Sequence, residues 1–147
     1  MKLGTLYGLG VGPGDPEWIA VKAVRILAAC RHVFVPKARG EGESVALDIA
    51  RSYLRPDAVV HELTFPMSKD QGVLAESWRQ AAEQVCGRLR QGEDAAFLTL
   101  GDPLLYSTYI YLLRAVRELQ PEINVVTVPG ITAISAAAAL ARPRSGS

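Results

Sequence analysis

Short unbroken apolar runs alternate with helix-patterned stretches along almost the whole chain, and no other feature restricts its fold as much. Residues 3–9, 32–35, 58–63, 95–100 and 123–128 read as strands. Their apolar residues are consecutive rather than every second one, as expected of strands covered on both faces. Residues 18–29, 45–54, 71–91 and 107–119 read as helices, and a last helix runs from about 132 to 141. The alternation predicts an α/β domain with a five-stranded, mainly parallel sheet and helices on both faces. A chain of 147 residues fits one such domain and is long enough to bury a real core.

Turn residues mark the joints. Asp15, Pro16 and Glu17 suit the start of the first helix, where proline and acidic side chains are favourable. Pro36 stops the second strand, Pro56 and Pro121 follow helix ends, and Gly92 suits a left-handed cap after the long third helix. In sheets of this kind ligands sit outside the C-terminal strand ends. Loops rich in glycine and proline fall at such ends. They are Gly10-Val11-Gly12-Pro13-Gly14-Asp15-Pro16 after the first strand, Gly101-Asp102-Pro103 after the fourth and Pro129-Gly130 after the fifth. This convergence is the strongest physical pointer to a site.

The loops disfavour the commonest nucleotide sites. A dinucleotide fingerprint needs G-x-G-x-x-G. Counted from Gly8 its third glycine falls on Pro13, and counted from Gly10 on Asp15. Asp15 also puts a negative charge where a pyrophosphate would lie. The second strand ends in Pro36-Lys37, with no acid for a ribose, and no P-loop sequence occurs. The first loop is therefore either a structural turn or the seat of a cofactor without phosphate. In the second loop Gly101 admits close backbone approach, and Asp102 either receives a ligand ammonium or caps backbone donors. In the third, Thr132 suits a helix cap and the small Ala133 leaves room for a ring.

Taken together and in this order, Gly10-Val11-Gly12-Pro13-Gly14-Asp15, Gly101-Asp102-Pro103 and Pro129-Gly130-Ile131-Thr132-Ala133 resemble the tetrapyrrole (corrin/porphyrin) methylase superfamily. Further stretches resemble its precorrin-2 C-20-methyltransferase branch: Val35-Pro36-Lys37-Ala38, Phe65-Pro66-Met67 and the run 97–108 with Tyr106-Ser107-Thr108. The likeness covers about residues 3–141 and is to the N-terminal domain alone. It implies an S-adenosylmethionine-binding α/β domain over 1–141, a tail over 142–147 that looks artificial or cut, and a second α/β domain that is absent.

The function implied is methyl transfer from S-adenosylmethionine to C-20 of precorrin-2 or its cobalt form, in cobalamin biosynthesis. No metal cofactor is implied. Cofactor contacts carry over to Pro13, Leu100, Gly101, Asp102, Leu105, Thr132 and Ala133. Related uroporphyrinogen methylases have an aspartate after the second strand, and its matching position here is Pro36, so no catalytic base is assigned. An enzyme cleft between two domains leaves this chain inactive alone. Two other readings stay open. One is a superfamily methylase acting on ribosomal RNA or a protein side chain. The other is a non-catalytic domain that binds a nucleotide or another subunit.

The remaining chemistry-bearing residues divide into a few candidates and several set aside. Lys37 and Arg39 lie at a strand end, either solvated or placed to meet substrate carboxylates. Tyr106, beside the second loop, is a further substrate candidate, whereas Tyr109 and Tyr111 read as packing. His32 and His61 have no Ser, Cys or acid partner at a telling spacing and read as structural, and no cluster has metal-ligand spacing. Cys30 and Cys86 read as buried free thiols suited to a reducing cytoplasm. A net charge of +1 favours neither nucleic acid nor a membrane as partner, and residues 1–4 lack the pattern of a signal peptide. An apolar patch near the last helix predicts a homodimer.

Overall fold

The computed structural model describes residues 2–38, 44–65, 70–101 and 109–141, the side chains of Ala38 and Ala133 excepted. The strands are β1 (Thr5–Val11), β2 (His32–Ala38), β3 (Val59–Phe65), β4 (Ala95–Leu100) and β5 (Asn124–Val128). The helices are α1 (Val21–Ala29), α2 (Val45–Ala50), α3 (Gln71–Leu89), α4 (Tyr109–Leu119) and α5 (Ala133–Leu140), and a 3₁₀ turn, Arg51–Tyr53, follows α2. One sheet holds all five strands in the order β3-β2-β4-β1-β5. Every pairing is parallel. The expected α/β sheet is thus present, and it is parallel throughout.

Alternate residues of each strand feed two cores. Leu6, Phe34, Leu63, Ala95 and Phe97 face α3 and α4, where Val85, Leu89, Tyr109, Leu112 and Val116 complete one layer. Leu9, Val11, Val33, Val35, Ala96 and Leu98 face α1 and α2, with Ala23, Leu27, Leu47 and Ile49 above them. Burial on both sides is why these strands carry unbroken apolar runs.

The winding positions the site. Through α1 and α2 the chain steps from β1 to β2 to β3, toward one edge of the sheet. Through α3 and α4 it returns over the other face to β4 and then β5. The adjacent strands β2 and β4 therefore send their connections in opposite directions, and such a switch point opens a crevice at the C-terminal strand ends. The ladder shows the opening directly. β2 pairs with β4 only from His32 to Phe34, while it follows β3 from His32 to Ala38.

Boundaries differ from the sequence reading where glycine, proline and acidic residues are involved. Pro36 does not stop β2, which runs on to Ala38 because its pairing with β3 continues past the proline. β1 runs on through Gly10 and Val11, because Val11 pairs with Leu100 and its carbonyl accepts the Gly101 amide at 2.8 Å. Helix α1 starts at Val21 rather than near Trp18. The acidic start signal is used one turn earlier, in a loop: the Asp15 carboxylate accepts the Glu17 amide at 2.8 Å and the Asp15 carbonyl accepts the Trp18 amide at 3.1 Å.

Candidate functional site

The loops singled out in the sequence do meet, and their meeting point is made of glycine backbone. A Cβ placed on Gly10 would lie 2.3 Å from the Gly101 carbonyl oxygen and 2.8 Å from the Gly130 Cα. One on Gly130 would lie 2.4 Å from that same oxygen and 2.9 Å from the Gly10 Cα. No real Cβ tolerates such distances to backbone, so the contact exists only because both residues lack one. Gly101 itself has φ 80°, a left-handed conformation that other residues adopt at a cost. Its carbonyl is thereby turned onto the other two backbones.

Around this junction lie most of the described candidates. Pro13 is half-buried and follows Gly12 through a cis peptide bond. Leu100 is 46% exposed although it follows a buried run, Ile131 is 40% exposed, and Ile134 on the first turn of α5 is 72% exposed. Thr132 caps α5, its hydroxyl accepting the Ser135 amide at 2.9 Å. Ala133 opens that helix. Asp102, Leu105, Tyr106 and Arg39 lie outside the described residues.

Lys37 sits at the C-terminal end of β2, on the far bank of the crevice, and its ammonium is 3.5 Å from the Glu62 carboxylate. Both groups are partly exposed, so this pairing is weak and leaves the ammonium available. Pro36 lies in β2 opposite Leu63, beyond the last residue that β2 pairs with β4. It has no amide proton to leave unsatisfied on the open side.

The chemistry of this end suits a ligand without phosphate. Residues 10–20, 98–108 and 128–135 include no Lys or Arg. A pyrophosphate would find no cation on these segments, whereas a sulfonium with an ammonium would meet no like charge. The exposed Leu100 and Ile131 offer apolar surface for a ring. The glycine junction is itself close backbone packing, and what it does is bring the β1, β4 and β5 loops together at this end.

The N-terminal ends of the strands carry a different cluster that the sequence did not reveal. His32 opens β2 and is buried; its Nε2 lies 2.7 Å from Glu93 Oε2, and its Nδ1 3.1 Å from His61 Nε2. His61 stacks on Phe34 with ring centroids 4.5 Å apart. The His32 hydrogen bond holds the Glu93 carboxyl below its ordinary range. Burial, then the neighbouring His32 and Arg88, lower the His61 imidazole. Both histidines lie away from the glycine loops, and the acid partner was missed because Glu93 is 61 residues from His32 along the chain. Cys30 and Cys86 are free and buried as expected, and burial pushes the Cys30 thiol up to about 11. Among the described residues no group of His, Cys, Asp and Glu has the arrangement of a metal site. No described helix is long and apolar enough to cross a membrane.

A groove of about 520 Å³ lies between α3 and α4, with Trp78 and Tyr111 stacked 5.6 Å apart on its wall. None of the candidate site residues lines it. Tyr111, expected to pack, is in fact 54% exposed there, while Tyr109 is fully buried.

Comparison with known proteins matches residues 5–143 to the family described as Tetrapyrrole (Corrin/Porphyrin) Methylases. The chain is 39% identical over 139 residues to the cobalt-precorrin-2 C(20)-methyltransferase of Salmonella typhimurium, covering 95% of the chain and 57% of that protein. It is 35% identical over 149 residues to the precorrin-2 C(20)-methyltransferase of a Sinorhizobium species, covering 95% of the chain and 58% of that protein. Among solved structures, a cobalt precorrin-4 methyltransferase of cobalamin biosynthesis superposes with a TM-score of 0.69 at 25% identity, over 92% of the chain and 49% of that protein. The chain thus spans from 49% to 58% of the length of these proteins.

Proposed function

The chain belongs to the tetrapyrrole (corrin/porphyrin) methylases, and we propose that it is the S-adenosylmethionine-binding part of an enzyme that methylates C-20 of precorrin-2 or its cobalt form. The observation that carries this reading is the convergence of the β1, β4 and β5 loops on a glycine junction at the C-terminal strand ends. Likeness to precorrin-2 and cobalt-precorrin-2 C(20)-methyltransferases supports the choice of substrate.

When bound, S-adenosylmethionine supplies an electrophilic methyl group. The chain's part is to hold and orient it, since alignment of two reactants is worth about 7–11 kcal/mol of barrier. Pro13, Leu100, Gly101 and Thr132 hold the cofactor in this proposal, joined by Asp102, Leu105 and Ala133. Lys37 faces the polycarboxylate substrate across the crevice between β2 and β4, and Arg39 and Tyr106 are assigned to the same substrate. A cationic side chain there recognises carboxylate by charge. No residue is assigned as base, because Pro36 occupies the position where an acid would stand.

The rest of the cleft belongs to a second α/β domain in this proposal, so the chain by itself binds cofactor without turnover. We also propose a homodimer, which would cover the exposed Ile134 and Leu140 of α5. A reducing cytoplasmic setting agrees with the two free thiols.

Titration with S-adenosylhomocysteine followed by amide NMR tests the placement. Shifts are expected at Gly12, Gly101, Ile131 and Thr132 and not at His61 or Glu93. Shifts confined to the His61 end, or to the α3–α4 groove, would overturn it.

A further inference from the structure

We propose that Gly10 and Gly130 are positioning residues, which hold the cofactor loops in register by letting three backbones touch around the Gly101 carbonyl. The inference rests on the proposed cofactor site but makes a separate structural claim. Neither glycine has a positive φ, so backbone conformation does not demand glycine at either position. Space does. Each would drive a Cβ to within 2.5 Å of the Gly101 oxygen, the one from β1 and the other from the loop after β5. The Gly101 amide is meanwhile fixed on the other side by the Val11 carbonyl at 2.8 Å. Gly101 is thus clamped at both its polar groups. A methyl on either neighbour pushes the Gly101 carbonyl away, and with it Leu100, Ile131 and the entry into α5.

Gly8 provides the internal contrast. It lies two residues before Gly10 and on the same face of β1. A Cβ there would meet the Tyr109 ring, 2.2 Å from Cζ, inside the core rather than at the loops. One strand therefore carries two glycines with different work: Gly8 admits a core side chain, and Gly10 admits a loop backbone. Gly87 supplies a neutral control, since a Cβ there meets nothing within 4 Å.

The test compares Gly10→Ala, Gly130→Ala, Gly8→Ala and Gly87→Ala with the unmodified chain. It uses S-adenosylhomocysteine titration, thermal melting and hydrogen exchange at the Gly101 amide. The loop variants should bind at least several-fold more weakly than the unmodified chain and should exchange the Gly101 amide faster. Gly8→Ala should melt earlier yet keep both the affinity and the Gly101 protection, and Gly87→Ala should change neither readout. Wild-type protection at Gly101 in both loop variants would overturn the lock, whatever the affinities. If the unmodified chain binds no S-adenosylhomocysteine, the cofactor reading fails, while the exchange rates still decide the lock. Should Gly10→Ala not fold, Gly130→Ala, which lies outside the strands, carries the same readouts.

Discussion

At the scale of single residues the site depends on what side chains would obstruct. Gly101 illustrates this because two separate demands fall on it. Its φ of 80° disfavours other residues, and a Cβ would stand 3.3 Å from the Ile131 carbonyl oxygen. Gly101→Val should abolish S-adenosylhomocysteine binding and also lower the melting temperature, since a left-handed non-glycine residue costs about 1–2 kcal/mol. Gly101→Asn separates the two demands, because asparagine tolerates that conformation better. Calorimetry with a melt on the same sample reads the outcome. Binding lost in both variants points to space near a ligand. Binding kept by Asn means that Gly101 serves the turn alone. The sequence made the Gly101 loop visible through its turn residues. The need for glycine at 10 and 130 was not legible, because it arises from three backbones far apart in the chain.

At the scale of elements, polar groups fasten strands that the apolar cores already pack. The Tyr109 hydroxyl on α4 lies 2.9 Å from Thr127 Oγ1 on β5, above Gly8. Tyr109→Phe removes that bond and leaves a part-buried hydroxyl short of a partner, a loss of about 0.5–1.5 kcal/mol by denaturant unfolding.

The Glu93–His32–His61 cluster joins the start of β2 to β3 and to the residues before β4, and it makes stability depend on pH. Arg31 and Arg88 also act on this cluster, and His61 lies in a pocket shared with Glu83. The folded state lowers the His61 imidazole, so the unfolded chain binds more protons just below the ordinary histidine range near 6.5. Stability from His61 is present above that pH and lost as pH falls toward its lowered folded value. Glu93 is lowered too, so its share is present above the ordinary carboxylate range and lost on further acidification. Melting temperature should therefore fall in two stages on acidification. His61→Phe, which retains an aromatic ring beside Phe34, should remove the first stage. An unchanged acid profile in that variant would refute the assignment. None of this cluster could be read from spacing, whereas the element order could. Strand and helix types follow from local apolar pattern, and long-range polar pairing does not. The same limit explains α1: Asp15 and Glu17 look like a helix start, and only the fold shows them used in the preceding loop.

At the scale of the whole molecule, the parallel order β3-β2-β4-β1-β5 creates the crevice between β2 and β4. The sheet and the gathering of its glycine loops were legible from apolar runs and turn residues. The crevice itself was not, because strand order is a property of the assembled sheet. Helix α5 is alanine-rich, with Ile134 and Leu140 each 72% exposed. Sedimentation at micromolar concentration should show a dimer or larger species, and Ile134→Lys should shift it toward monomer; a monodisperse monomer of the unmodified chain would count against a role for this face in self-association. Methylation of precorrin-2 by this chain alone should be negligible, because it spans 57% and 58% of the length of the C(20)-methyltransferases it resembles.

The central claim is that the loops gathered by the glycine junction hold a cofactor without phosphate, and isothermal titration of the unmodified chain with S-adenosylhomocysteine, NAD and ATP tests it most directly. The account predicts weak, saturable, one-to-one binding of S-adenosylhomocysteine and no heat of binding from the two phosphate-bearing ligands. Saturable binding of NAD or ATP, with none of S-adenosylhomocysteine, would contradict it.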